Sequence, residues 1–170
     1  QEQIDAMREG PVLRRAANMP RVGGAHRKGD VTPQIFSDTF GFRGVQFGNY
    51  VEGDRRQSDL NESFDALMDL AAVLGIPPRA LSLNGRLGLA FGARGHGGKN
   101  AAAAHYEPGQ VVINLTKHGG PGSLAHEWLH ALDNYFGKQA EGGFVSEGRK
   151  PGDVRQAVFD AWKGIEKVLK

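Results

Sequence analysis

The chain has 170 residues, no cysteine and a formal net charge of +2 at pH 7. That length suffices for one domain with its own core. The missing cysteines exclude disulfides, thiol nucleophiles and thiolate metal ligands, so any bound metal must be held by His, Asp or Glu. The basic residues are spread along the chain without interleaved aromatics, which makes nucleic acid an unlikely partner. No apolar run reaches the length of a membrane span and no secretory signal pattern is visible, so the expected location is the cytoplasm. The chain reads as a segment of a longer parent, with neighbouring domains.

In chain order, residues 1–35 form a basic arm in which Arg8, Arg14, Arg15, Arg21, Arg27 and Lys28 are interrupted by Pro11, Pro20 and Pro33. A short helix and then irregular chain are expected there, with the main domain over 36–170. The alternation from Phe40 to Phe47 predicts a strand or ordered loop. Between Asp59 and Leu74 the apolar residues Leu60, Phe64, Leu67, Met68, Ala71 and Leu74 recur at helical spacing, ended by Gly75 and Pro77-Pro78. Leu87 to Phe91 reads as a buried strand, and the glycines from Gly92 to Gly98 as a loop. That loop fails as a phosphate-binding motif: Ala93 stands where the first glycine belongs, and Asn100 replaces the Ser/Thr.

Two strands follow, Ala103–Tyr106 and Val111–Leu115, joined as a hairpin through Glu107-Pro108-Gly109-Gln110. A helix capped by Ser123 runs to Gly137. An amphipathic helix closes the chain from about Asp153 to Lys170, with Val154, Val158, Trp162, Ile165 and Leu169 on its apolar side. Helices and strands in this order give an α+β fold. The expected architecture is a small mixed or antiparallel sheet packed on the helix that carries the chemistry, with flanking helices.

That chemistry lies in His126-Glu127-Trp128-Leu129-His130. Histidines four apart on a helix share a face, and their imidazoles can converge on one Zn²⁺. Glu127, next to the first histidine, is placed to take a proton from a water at the metal. The flanking Leu124, Ala125, Trp128, Leu129, Ala131 and Leu132 make the helix apolar nearly all round, hence buried. The strand 111–115 just before it is expected to be an edge beside the metal, where an extended peptide substrate can pair.

A catalytic zinc site takes three protein ligands and leaves one position open. Glu147 is the expected third, because the glycine-rich return Gly142-Gly143-Phe144-Val145-Ser146 offers a small apolar anchor before it. Asp133 lies about 10 Å along the axis from His126 and suits a hydrogen bond to His130 better. Glu141 and His118 are the other candidates. His105, Tyr106 and Tyr135 are candidates to stabilise a developing oxyanion.

With these residues in view, the runs FGFRGVQFGNYV, DALMDLAAVLGIPPRALSLNGRLGLAFGARGHGG and GSLAHEWLHALDNYF resemble the large polyvalent protein-associated domain, type 1, over about Gly41 to Tyr135. That family occurs in very long multidomain proteins of bacteriophages and conjugative elements. The resemblance implies a zincin-like metallopeptidase domain with His126, Glu127 and His130 in the motif positions. The alternative is a zincin fold retained as an inert binding module.

Overall fold

The computed structural model describes residues 23–48, 53–93, 104–115, 121–137 and 143–147, together with residues 156, 157, 160, 161 and 163, which are helical. The apolar residues expected on the closing helix, Val154, Val158, Trp162, Ile165 and Leu169, lie outside the described residues, as do the arginines at 8, 14, 15 and 21.

The described chain starts by lying along a helix that comes later. Helix α1 is Pro33–Phe40 and helix α2 is Gly53–Leu74. Ahead of α1, the His26 backbone N–H donates to Asp65 Oδ1 at 2.9 Å and Arg27 Nε to Asp65 Oδ2 at 3.3 Å. The Val31 N–H donates to Asn61 Oδ1 at 2.8 Å, and Asn61 Nδ2 to Asp30 at 2.9 Å. Asp65 and Asn61 are buried, so these partners satisfy groups that would otherwise destabilise α2. Val31 itself is in the core.

The expected boundary between 35 and 36 falls inside α1. This helix was not anticipated, since eight residues are too few for a periodicity to stand out. Its ends carry the signal instead. The Thr32 hydroxyl accepts from the Ile35 N–H, Pro33 opens the first turn, and Gly41 closes the helix at φ 68°. Phe36 and Phe40 face inward and meet Phe42 and Phe64, with ring centroids 5.0 to 6.4 Å apart.

The sheet has four strands: β1 Val45–Phe47, β2 Gly88–Phe91, β3 Ala104–Glu107 and β4 Val112–Leu115, in the order β1-β2-β4-β3. The first three in that order are mutually parallel and β3 is antiparallel to β4. The β3–β4 hairpin forms where Pro108 and Gly109 predict it. Strand β4 begins at Val112 because Val111 sits at φ 54°, off the extended region. The register aligns Phe47, Phe91, Leu115 and Ala104 in one row, and Val45, Leu89, Ile113 and Tyr106 in the next. All eight belong to the core or pack against it.

Over this face lies helix α3, Pro121–Gly137, through Leu124, Trp128 and Ala131, and α2 packs on α3, adding Leu60, Phe64, Leu67 and Ala71 to the same core. A 3₁₀ turn, Pro78–Ser82, joins the layers: Leu81 is fully buried and its carbonyl accepts from Trp128 Nε1 at 2.8 Å. The fold is therefore mixed α/β. Strand β4 is internal, so among the described strands the edge beside α3 belongs to β3 and not to strand 111–115 as the sequence led us to expect. Glycines and a short turn hide this exchange, because hairpin partners look alike in sequence whichever of them lies outermost.

Candidate functional site

Helix α3 begins at Pro121, two residues before Ser123, with proline in its first turn. Its inner face is set by Leu124, Trp128 and Ala131, each under 3% exposed. His126 and His130 point the other way and are exposed, and Glu127 is half-buried. The expectation of a helix buried all round is thus corrected: Leu129, at 45% exposure, shares the open side. An apolar count around a helix does not say which apolar residues find a neighbour.

On that open side the two imidazoles stand edge to face, with ring centroids 4.7 Å apart and planes at 82°. Their Nε2 atoms approach to 3.1 Å. Two nitrogens bound to one tetrahedral Zn²⁺ at about 2.0–2.1 Å lie about 3.3 Å apart. The 3.1 Å seen here is the length of a hydrogen bond from one ring nitrogen to the other, and it is also close to that ligand spacing. Among the described residues no third His, Asp or Glu joins it.

The remaining candidates are distributed as follows. Asp133 is 4% exposed, and instead of bonding to His130 its carboxylate accepts from the backbone N–H of Ser146 at 3.0 Å and from the Ser146 hydroxyl. Glu147 ends the 3₁₀ turn Val145–Glu147; it is exposed, and its carboxylate accepts from the Phe144 N–H at 3.3 Å. Glu141 and His118 lie outside the described residues.

On β3, alternation sends Tyr106 toward α3 and His105 to the opposite face of the sheet. There His105 Nε2 pairs with Glu107 Oε1 at 3.1 Å. The Tyr106 hydroxyl donates to Asn134 Oδ1 at 2.9 Å, and burial pushes its pKa up to about 12. Tyr135 packs against the core beneath the Arg86 guanidinium, 5.9 Å from its ring centre.

Asn134 was missed in the sequence. It is 3% exposed, accepts from the Tyr106 hydroxyl through Oδ1 and donates from Nδ2 to the Gly143 carbonyl at 3.3 Å. An Asn late in a helix reads as neutral, and the signal lies only in its partners. A cleft of about 730 Å³, lined by Ile76, Arg79, Trp128, Leu132, Tyr135 and Phe136 among others, lies on the other flank of α3 and away from the histidine pair.

Residues 1–39 are similar to the family model of the large polyvalent protein-associated domain 5. That domain is one associated with large polyvalent proteins, which is consistent with neighbouring domains. The matched model is domain 5 and not type 1, and the matched stretch lies before the segment from Gly41 to Tyr135 on which the type 1 resemblance rests. No curated protein matches the chain. No solved structure matches it either. Among the described residues no helix is long and apolar enough to cross a membrane.

Proposed function

We propose that this chain carries a zincin-like zinc metallopeptidase domain of a larger polyvalent protein, hydrolysing peptide bonds of a protein substrate in the host cytoplasm. The observation that carries the reading is the 3.1 Å approach of His126 Nε2 to His130 Nε2 on the open face of α3. His126 and His130 would hold zinc, and Glu147 is the residue assigned to the third position, its exposed carboxylate engaged by a long N–H bond that another partner can replace. When bound, zinc supplies polarisation of a carbonyl and acidification of water. Glu127, one residue on from His126, takes the proton of the attacking water and returns it to the leaving amine. The edge strand β3, beside α3, offers backbone groups to an extended peptide.

A second reading, an inert binding module on the same fold, is favoured by the exposure of the histidines and by the Glu147 carboxylate capping its own turn. Elemental analysis of protein purified without added zinc separates the two. Near-stoichiometric zinc in the wild type, lost in His126→Ala and in His130→Ala, is the expected result. Metal-free wild type that also fails to take up added zinc would overturn the metallopeptidase reading.

A further inference from the structure

The flank of α3 turned away from the histidine pair opens on the cleft of about 730 Å³, a volume within the range of about 300–1,000 Å³ for clefts that hold ligands. Trp128 lies at its base, 2% exposed, with its indole N–H already bonded to the Leu81 carbonyl. Ile76, Leu132, Tyr135 and Phe136 line it as half-buried side chains. Directly before Ile76 come Val73 and Leu74, 84% and 41% exposed. Apolar surface left open around a cleft in this way marks an interaction site.

Another wall is the loop after the 3₁₀ turn, where Leu83, Asn84 and Gly85 are all left-handed, at φ 52°, 63° and 72°. Leu and Asn pay for that backbone in strain, and the loop is held in it by its own bonds. The Leu83 N–H donates to the Ala80 carbonyl, the Gly85 N–H to the Ser82 hydroxyl and the Arg86 N–H to the Leu83 carbonyl. With these N–H groups engaged, the loop keeps no cradle of amides for a phosphate. The charge here comes from side chains. Arg79 lines the cleft, and Arg86 holds its guanidinium 5.9 Å from the Tyr135 ring centre. Both are exposed, and Arg79 donates only to the Asp38 carbonyl. Among the described residues neither pairs with a carboxylate, and no Asp or Glu lines the cleft. We propose that this cleft binds a peptide segment of a partner protein in which large apolar side chains are flanked by Asp or Glu. The apolar side chains enter among Ile76, Leu132 and Phe136, and the carboxylates meet Arg79 and Arg86, whose forked donors suit them. The walls supply the affinity and the charge selects the partner. The proposal is independent of the zinc reading.

The test titrates the full chain against fluorescein-labelled peptides and reads polarisation. The peptides are Asp-Glu-Leu-Phe-Asp-Glu, the same with Ala-Ala in place of Leu-Phe, and Lys-Lys-Leu-Phe-Lys-Lys. Saturable binding of the first is expected, with each of the others weaker by about 10-fold or more. Arg86→Glu and Leu132→Gln should each weaken the first peptide about 10-fold. Arg86 is exposed, so its variant keeps the fold even where Leu132→Gln does not. Lys28→Glu makes the same change of charge at an exposed position outside the cleft, and binding should stay as in the wild type. No saturable binding of the first peptide, equal binding of the Ala-Ala peptide, or unchanged affinity in Arg86→Glu overturns the proposal. Tighter binding of ATP than of the first peptide also overturns it, in favour of a phosphate-bearing ligand.

Discussion

At the scale of single residues, position within a turn of helix separates two kinds of role. Glu127 is half-buried and follows the first histidine, where, under the proposed zinc reading, it would handle a proton without holding the metal. We expect Glu127→Gln to retain zinc by elemental analysis while peptide hydrolysis falls by about 10²–10⁴-fold, the usual contribution of a general base. Wild-type turnover in that variant would remove Glu127 from the mechanism. Tyr106 provides a pH-dependent counterpart. Its pKa, held at about 12 by burial, exceeds the ordinary value of about 10 in an unfolded chain, so the folded state keeps the proton longer. The stabilisation is therefore complete below pH 10 and is lost as pH rises from 10 to 12. Urea unfolding across that window should show falling stability in the wild type and a flatter profile in Tyr106→Phe. At neutral pH the same variant should lose about 1–3 kcal/mol, because Asn134 Oδ1 is left buried without its donor.

Elements depend on their neighbours more than on their own propensity. Helix α1, eight residues long, would not form alone in water. It persists because Phe36 and Phe40, both fully buried, enter the aromatic cluster completed by Phe42 and Phe64. Phe40→Ala should cost about 3–5 kcal/mol in denaturant unfolding, the range for an emptied aromatic site. Ile35→Ala on the exposed side of the same helix, where Ile35 is 47% exposed, should stay within about 0.5 kcal/mol. Equal losses from the two would mean that α1 does not anchor the core through its inner face.

For the molecule as a whole, a metal held as proposed would link folding to binding. A ligand at 100 times its dissociation constant stabilises the fold by about 2.7 kcal/mol. Excess zinc should therefore raise the unfolding temperature of the wild type by several degrees, with the effect reversed by a chelator and absent from His130→Ala. A rise of the same size in His130→Ala would place the stabilising metal elsewhere on the protein.

Several features were legible from one sequence because local rules decide them. Helical spacing marks the apolar run from Leu60 to Leu74, and Pro108 with Gly109 marks the hairpin. His126 and His130 fall on one face for the reason that any residues four apart on a helix do. Tertiary structure decided the rest. Which hairpin strand lies at the sheet edge depends on the parallel pairing of β4 with β2, which joins segments far apart in the chain. That α3 is buried on one side only follows from where α2 and the sheet stop. Asp133 turned out to serve Ser146, thirteen residues on, because a buried carboxylate bonds to whatever donors the fold brings to it, and no spacing rule within the helix names a donor on a returning loop.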